Sequence, residues 1–277
     1  PDAGDVIEQF FSGRWIDAAI RPNKQQGAFC ATTVPGVHPY VLMNFTGERR
    51  SVLTLAHELG HGLHGYLAAE RGFFNAGTPL TLAETASVFG EALTFGRLLE
   101  SEDDPARKLS LVTGRLEDAI ATIFRQVAMN RFEDRIHTTR RGLGELSIDA
   151  ISDSWIETQT AMMGDSVVLT PGYRSWWSYI PHFIGSPGYV YAYAFGFLFS
   201  LAIYRSYEEV GEPMVGPYLD LLRAGGSQPP EDLARIVGLD LTDPGFWAGG
   251  LETVDRLLSE AEALAAEVTP GRAGSDD

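Results

Sequence analysis

The sequence predicts a mostly α-helical protein with one small β element. Apolar residues recur with the 3.6-residue period of amphipathic helices over most of the chain. One region, Gly27 to Phe45, is instead rich in β-formers around a Pro35-Gly36 turn. Hydrophobic residues make up 44% and charged residues 21%, the balance of a folded globular chain, which excludes disordered and coiled-coil readings. No internal repeat or Pro/Gly/Ser linker divides the chain, so residues 1–277 are expected to form a single helical domain.

Taken in order, Pro1 to Val6 has neither a basic region nor an apolar core, so no signal peptide is expected there. The missing initiator Met suggests a fragment or a processed chain. Gly27–Thr33 and Pro39–Phe45 form an expected hairpin, with Tyr40–Phe45 as its exposed edge. Ser51 is a plausible N-cap for a helix over about 51–70, and a second helix spans about 81–99. Asp104-Pro105 opens a long helix that runs to about Arg141, where Gly142 and Gly144 stop it. Ser147 caps a helix ending near Gly164. A Pro171-Gly172 loop leads to a helix over about 187–209, and shorter helices follow at about 213–223, 229–237 and 250–268. The tail from Pro270 is expected to fray.

Ser175 to Tyr204 contains no Asp, Glu, Lys or Arg, but Pro181, Gly185, Pro187 and Gly188 interrupt it. The clean part, from Tyr189 on, falls short of the roughly 20 residues a membrane span needs, so it reads as a buried helix. With 21 Lys plus Arg against 37 Asp plus Glu, the net charge of −16 repels phosphate backbones and anionic bilayers. Neither nucleic acid nor membrane is an expected partner. Cys30 is the only cysteine, which excludes an intrachain disulfide and a cysteine zinc ribbon and fits a reducing, cytoplasmic setting.

The informative segment is His57-Glu58-Leu59-Gly60-His61, on a predicted helix. Residues four apart share a helical face, so His57 and His61 can each offer an imidazole nitrogen to one Zn²⁺, with Glu58 beside its water. The bare pattern also arises by chance, so its surroundings decide. A catalytic zinc usually takes three protein ligands and keeps one open position. The metzincin solution would need Gly at position 64 and His at position 67, where this chain has His64 and Leu67. The gluzincin solution takes a Glu from the next helix, where Glu84 and Glu91 are available and the metal motif favours Glu84. Glu91, two turns further on, could orient a histidine. His64 lies about 10 Å along the helix from His57, too far to share a tetrahedral ion, which leaves it a packing or orienting role.

These residues resemble the zinc oligopeptidases that include thimet oligopeptidase, neurolysin and oligoendopeptidase F, most closely the last. The resemblance runs through Ile20-Arg21-Pro22-Asn23-Lys24, the 27–45 hairpin, His57–His64, Glu84–Glu91, Ile180-Pro181-His182-Phe183, Tyr189-Val190-Tyr191-Ala192-Tyr193 and Leu241–Trp247. It implies a zincin-type catalytic domain with a short sheet beside the active-site helix. It also implies zinc ligands His57, His61 and Glu84, with Glu58 as general base, and a His182 and tyrosine segment that faces the zinc.

An imidazole N–H and a phenol O–H can stabilise the oxyanion of peptide hydrolysis, which fits His182 together with Tyr189 or Tyr193, four apart on one expected helical face. The expected activity is cleavage of internal bonds in short peptides, with substrate lying on the Tyr40–Phe45 edge. Members of the family are commonly about twice this length, so the chain resembles their C-terminal catalytic half and a missing N-terminal helical half is an expected partner. The alternatives are a related metallocarboxypeptidase and an inactive half-enzyme that only binds zinc or peptide.

Overall fold

The computed structural model describes residues 2–269, and the tail expected to fray from Pro270 lies outside them. It is mostly helical with one three-stranded sheet, as the sequence predicts. Along the first part of the chain run α1 (Ala3–Ser12), β1 (Ile16–Asp17), β2 (Phe29–Ala31), β3 (Tyr40–Leu42), α2 (Arg49–Ala68), α3 (Thr85–Glu100) and α4 (Pro105–Ile120). They are followed by α5 (Gln126–Leu143), α6 (Ile148–Met163), α7 (His182–Gly185), α8 (Tyr191–Val210), α9 (Val215–Ala224), α10 (Pro230–Ile236) and α11 (Pro244–Val268). The chain forms two compact units, one of Pro1–Thr113 with Gly196–Asp277 and one of Gly114–Phe195.

The first unit opens with α1, which the sequence reading passes over although Asp2 and Asp5 form a capping box and Val6 and Phe10 are fully buried. The expected hairpin is present, with β2 antiparallel to β3 and Cys30 opposite Val41. Its second strand, however, is not an edge. Strand order is β1-β3-β2, and the amides of Val41, Met43 and Phe45 donate to the carbonyls of Trp15, Asp17 and Ala18. The short Trp15–Ala18 segment has no turn signal of its own. It is held by packing, with Trp15 edge-on to Phe10 at 5.0 Å and stacked on His38 at 4.0 Å. The free edge of the hairpin is therefore β2, and the other edge of the sheet is β1.

Helix α2 begins at Arg49, and Ser51 does not cap it. Its hydroxyl instead accepts from the Thr46 amide at 3.1 Å, tying the incoming loop to the first turn. Leu59, Leu63, Leu67 and Ala68 are buried apolar positions of α2. A 3₁₀ turn at Leu80–Leu82 replaces the expected start of the next helix, so Glu84 occupies the N-cap of α3. Helices α3, α4 and α11 meet at Phe95, Val112 and Ala261. Helix α11 starts at Pro244, earlier than expected, because Asp243 accepts from the Gly245 amide and caps it. Phe197, Phe199 and Ile203 of α8 are buried, as a core helix requires, and no helix among the described residues is long and apolar enough to cross a membrane.

In the second unit the long expected helix is broken by a π-helical turn, Ala121–Arg125, before α5. Ser147 caps α6 as expected, accepting from the Ala150 amide at 3.2 Å. Met129, Phe132, Trp155, Ile180 and Val190 form the core. Helix α8 begins only at Tyr191, so Tyr189 precedes it and does not share a helical face with Tyr193 as the sequence suggests. Gly188, at φ +76°, makes the turn that stops the helix from starting earlier.

Candidate metal centre

The site is built on α2. His57 and His61, one turn apart, place their rings 4.9 Å from each other at 82°. The third group reaches them because α2 and α3 pack backbone to backbone. A Cβ on Gly60 would overlap the Ala86 carbonyl, and one on Gly90 would lie 3.1 Å from the Ala56 carbonyl oxygen. This approach sets Glu84 Oε2 3.3 Å from His57 Nε2 and 3.4 Å from His61 Nε2. Two atoms each about 2.0–2.1 Å from a tetrahedral ion are themselves about 3.3–3.4 Å apart, so these separations suit two ligand pairs of one zinc. His57, His61 and Glu84 are also the one group of metal-ligand type among the described residues whose donor atoms converge within 4.8 Å.

Further groups hold these three in place. Glu91 Oε2 lies 3.2 Å from His57 Nδ1, which leaves Nε2 directed at the site, the orienting role the spacing suggested for this carboxylate. Ser87 Oγ donates to Glu84 Oε2 at 2.7 Å, and Ser200 Oγ donates to the Glu84 carbonyl at 2.9 Å. Gly196 clears space for this residue, since a Cβ there would sit 3.2 Å from Glu84 Cβ.

Burial disfavours the charged form of His57, but Glu84 and Glu91 on either side overcome it and raise its pKa to about 10. Burial likewise opposes ionisation of Glu84, and the two histidines with Ser87 overcome it, lowering its pKa to about 2. His61 is shifted down, chiefly by burial, and His64 is pushed down to about 4 by burial and by His61. His64 is thus a buried neutral ring.

Glu58 is only 6% exposed, and its Oε2 has no hydrogen-bond partner among the described residues. Burial pushes its pKa up, Glu84 adds to the shift, and His57 and the Cys30 backbone amide oppose it. The carboxyl lines a cavity of about 650 Å³ that runs along α2 past His57, His61, His64 and Gly65 and is walled by Phe29, Cys30 and Thr32. Gly65 lets this wall come close, because a Cβ there would collide with the Thr32 side chain.

A model of peptidase family M3 matches residues 2–253. The chain belongs to peptidase family M3. It is 31% identical over 264 residues to oligopeptidase PepF of Bacillus subtilis, covering 95% of this chain and 39% of that protein. It is 32% identical over 231 residues to an oligoendopeptidase F homolog of Borreliella burgdorferi, covering 83% of this chain and again 39% of the relative. The crystal structure of oligoendopeptidase-F from Enterococcus faecium superposes with a TM-score of 0.68 at 28% identity, over 80% of this chain and 41% of that one. This M3 chain therefore spans about two fifths of the length of the relatives it matches.

The second unit of the M3 chain brings together the other three residues singled out from sequence. His182 Nε2 lies 3.2 Å from Tyr193 Oη. The Tyr189 ring stacks on His182 at 5.7 Å and meets Tyr193 edge-on at 5.2 Å. Tyr191 stands apart, 43% exposed. The sequence reading missed Ser87, Ser200 and the close-approach roles of Gly60 and Gly90. Gly60 lies inside the histidine motif and Ser87 one turn after Glu84, so only their local spacing signalled them.

Proposed function

We propose that this chain is the catalytic part of a zinc-dependent endopeptidase that cleaves internal bonds of short peptides in the cytoplasm. The observation that carries the reading is the convergence of His57 Nε2, His61 Nε2 and Glu84 Oε2 next to buried Glu58, whose Oε2 has no hydrogen-bond partner among the described residues. Two imidazoles and one carboxylate with an open side are the donor set of a catalytic zinc, and His57, His61 and Glu84 would hold it. When bound, the ion supplies Lewis acidity and a water with a pKa of about 7.

The rest is the work of the chain's own side chains. Glu58, made more basic by burial, takes the proton from the attacking water and returns it to the leaving amine. His182, with Tyr189 or Tyr193, would stabilise the oxyanion, a role the family resemblance implies and the hydrogen-bonded cluster supports.

Peptide would add as a strand to β2. The Val41 amide is taken up by Trp15, so Cys30, opposite Val41, turns its backbone groups away from β3 and toward Glu58 and the open edge. Main-chain recognition of this kind tolerates many peptide sequences.

The test is cleavage of an internally quenched peptide of about ten residues by the zinc-loaded chain, beside Glu58→Gln and a chelated control. Internal cleavage lost in both controls supports the reading. Release of single C-terminal residues would point to a carboxypeptidase. No cleavage, despite one zinc that depends on His57, His61 and Glu84, would show that the remaining length of the relatives is needed. A chain that binds no zinc at all sinks the reading.

A further inference from the structure

Within the second unit, one carboxyl group lies buried. Glu133 of α5 has a side chain only 3% exposed, next in sequence to the core residue Phe132. Buried acidic groups are rare unless they are partnered, because removing them from water is costly. One partner is plain: Oε1 accepts the backbone N–H of Gly188 at 2.8 Å, across a wide sequence separation. Oε2 has no hydrogen-bond partner among the described residues, and His137, largely outside the core, approaches Oε1 only to 3.9 Å.

The amide that Glu133 holds belongs to a particular turn. Gly188 adopts φ +76°, which a residue with a side chain rarely takes. The turn closes through Ser186 N–H to the His182 carbonyl at 3.0 Å and Tyr189 N–H to the Ser186 carbonyl at 3.2 Å. His182 stands at its start and Tyr189 immediately after Gly188, and their rings stack. Tyr193 then meets both rings, and its hydroxyl lies within hydrogen-bonding reach of His182. Glu133 thus anchors this turn's backbone from outside the turn.

We propose that Glu133 is a positioning residue: its carboxylate oxygen pins the Gly188 turn and so fixes the His182, Tyr189 and Tyr193 rings relative to one another. The idea rests on the reading of this cluster as the oxyanion donor. Glu133 touches neither the peptide nor the metal in this scheme. It acts only through the backbone of the turn, and displacement of a donor by about 1 Å is enough to lower a rate by up to about 100-fold.

The test compares Glu133→Gln, which keeps an acceptor oxygen, with Glu133→Ala, which removes it, and Glu133→Asp, which withdraws it by one methylene. Hydrogen–deuterium exchange of the 182–190 segment and kcat and KM on the quenched peptide are measured on the zinc-loaded chain. In Glu133→Ala and Glu133→Asp, exchange in this segment should speed up at least tenfold and kcat should fall about 10- to 100-fold, with KM and zinc content unchanged. Glu133→Gln should restore slow exchange and most of kcat.

Unchanged exchange and kcat in Glu133→Ala overturns the proposal, as does a Glu133→Gln chain that behaves like Glu133→Ala. Should the alanine variant not fold, Glu133→Asp carries the same comparison. If His182→Ala leaves kcat untouched, the catalytic reading of the cluster fails, while the exchange data still decide whether Glu133 pins the turn.

Discussion

Zinc binding to the chelator-stripped chain should release at least one proton per ion at pH 6.0. The count follows from the three proposed ligands. Glu84, with a pKa lowered to about 2, is already ionised, and His61, shifted down chiefly by burial, adds less than a whole proton. His57, held near 10 by Glu84 and Glu91, is fully protonated and must lose that proton before Nε2 can bind an ion. A coordinated water with a pKa of about 7 stays mostly protonated at pH 6.0, so it adds little. Titration calorimetry in two buffers of different ionisation enthalpy measures the number directly. The apparent affinity should also rise about tenfold per pH unit as pH climbs toward the His57 pKa. A release near zero, with a flat pH dependence, would mean that His57 is neutral before the ion arrives, and the account of its paired carboxylates would be wrong.

Four other outcomes follow from named contacts. Removing the carboxylate behind His57 with Glu91→Ala should weaken zinc binding about 10- to 100-fold while leaving the fold intact, as read by zinc titration and circular dichroism. His64 has a folded pKa of about 4, below its unfolded value of about 6.5, so its contribution is complete above pH 6.5 and lost as pH falls toward 4. That loss amounts to about 2 kcal/mol between pH 8 and pH 5, and urea unfolding of His64→Leu should show a correspondingly flatter acid limb. The Lys24 ammonium, on a side chain only 3% exposed, donates to the carbonyls of Asp17, Ala19 and Met43 and pairs with Asp17. Lys24→Met should therefore cost about 2–4 kcal/mol in urea unfolding, and a change under 0.5 kcal/mol would contradict the clamp. Gly60→Ala forces a methyl group against the Ala86 carbonyl, so it should destabilise the chain by about 1–3 kcal/mol and weaken zinc binding, and a variant with unchanged zinc affinity would show that α2 and α3 can separate without moving Glu84.

How legible the site was depended on whether its groups follow one another along the chain. His57, Glu58 and His61 are fixed by a single helical turn, so spacing alone places the two histidines on one face with Glu58 beside them. Sequence favours Glu84 as the third ligand but puts it inside a helix. It sits at the N-cap because Leu80–Leu82 form a 3₁₀ turn, which no residue pattern there announces. Tyr189 and Tyr193 do meet, through the Gly188 turn and not through a shared helical face. Gly144 ends the helix as its residue type suggests, whereas Gly142 lies inside it, and the π-helical turn at Ala121–Arg125 is invisible to a 3.6-residue period that continues on both sides of it. Ser51 looked like a cap because caps are recognised by residue type. Its hydroxyl is used two residues inside the helix, on the loop at Thr46.

The sheet shows what such local misreadings do to function. A hairpin has two edges, and sequence gives no reason to prefer either, so the substrate edge was assigned to Tyr40–Phe45. Trp15–Ala18 occupies that side, held by Trp15 packing that joins residues far apart in sequence. Once it is occupied, β2 is the edge of the hairpin that remains to accept another strand. The consequence reaches the chemistry, because β2 is the strand whose Cys30 amide faces Glu58. A peptide paired with β2 would therefore lie against the same strand that bears on Glu58, the proposed general base, so substrate register and base position would be set by one short piece of backbone. Replacing Cys30 by another small residue leaves that amide in place, whereas a proline removes the donor and the edge together. Cys30→Ser should accordingly preserve peptide cleavage within a few-fold, and Cys30→Pro should abolish it while zinc still binds His57, His61 and Glu84. A proline variant that cleaves at the normal rate would exclude β2 as the strand that holds the substrate.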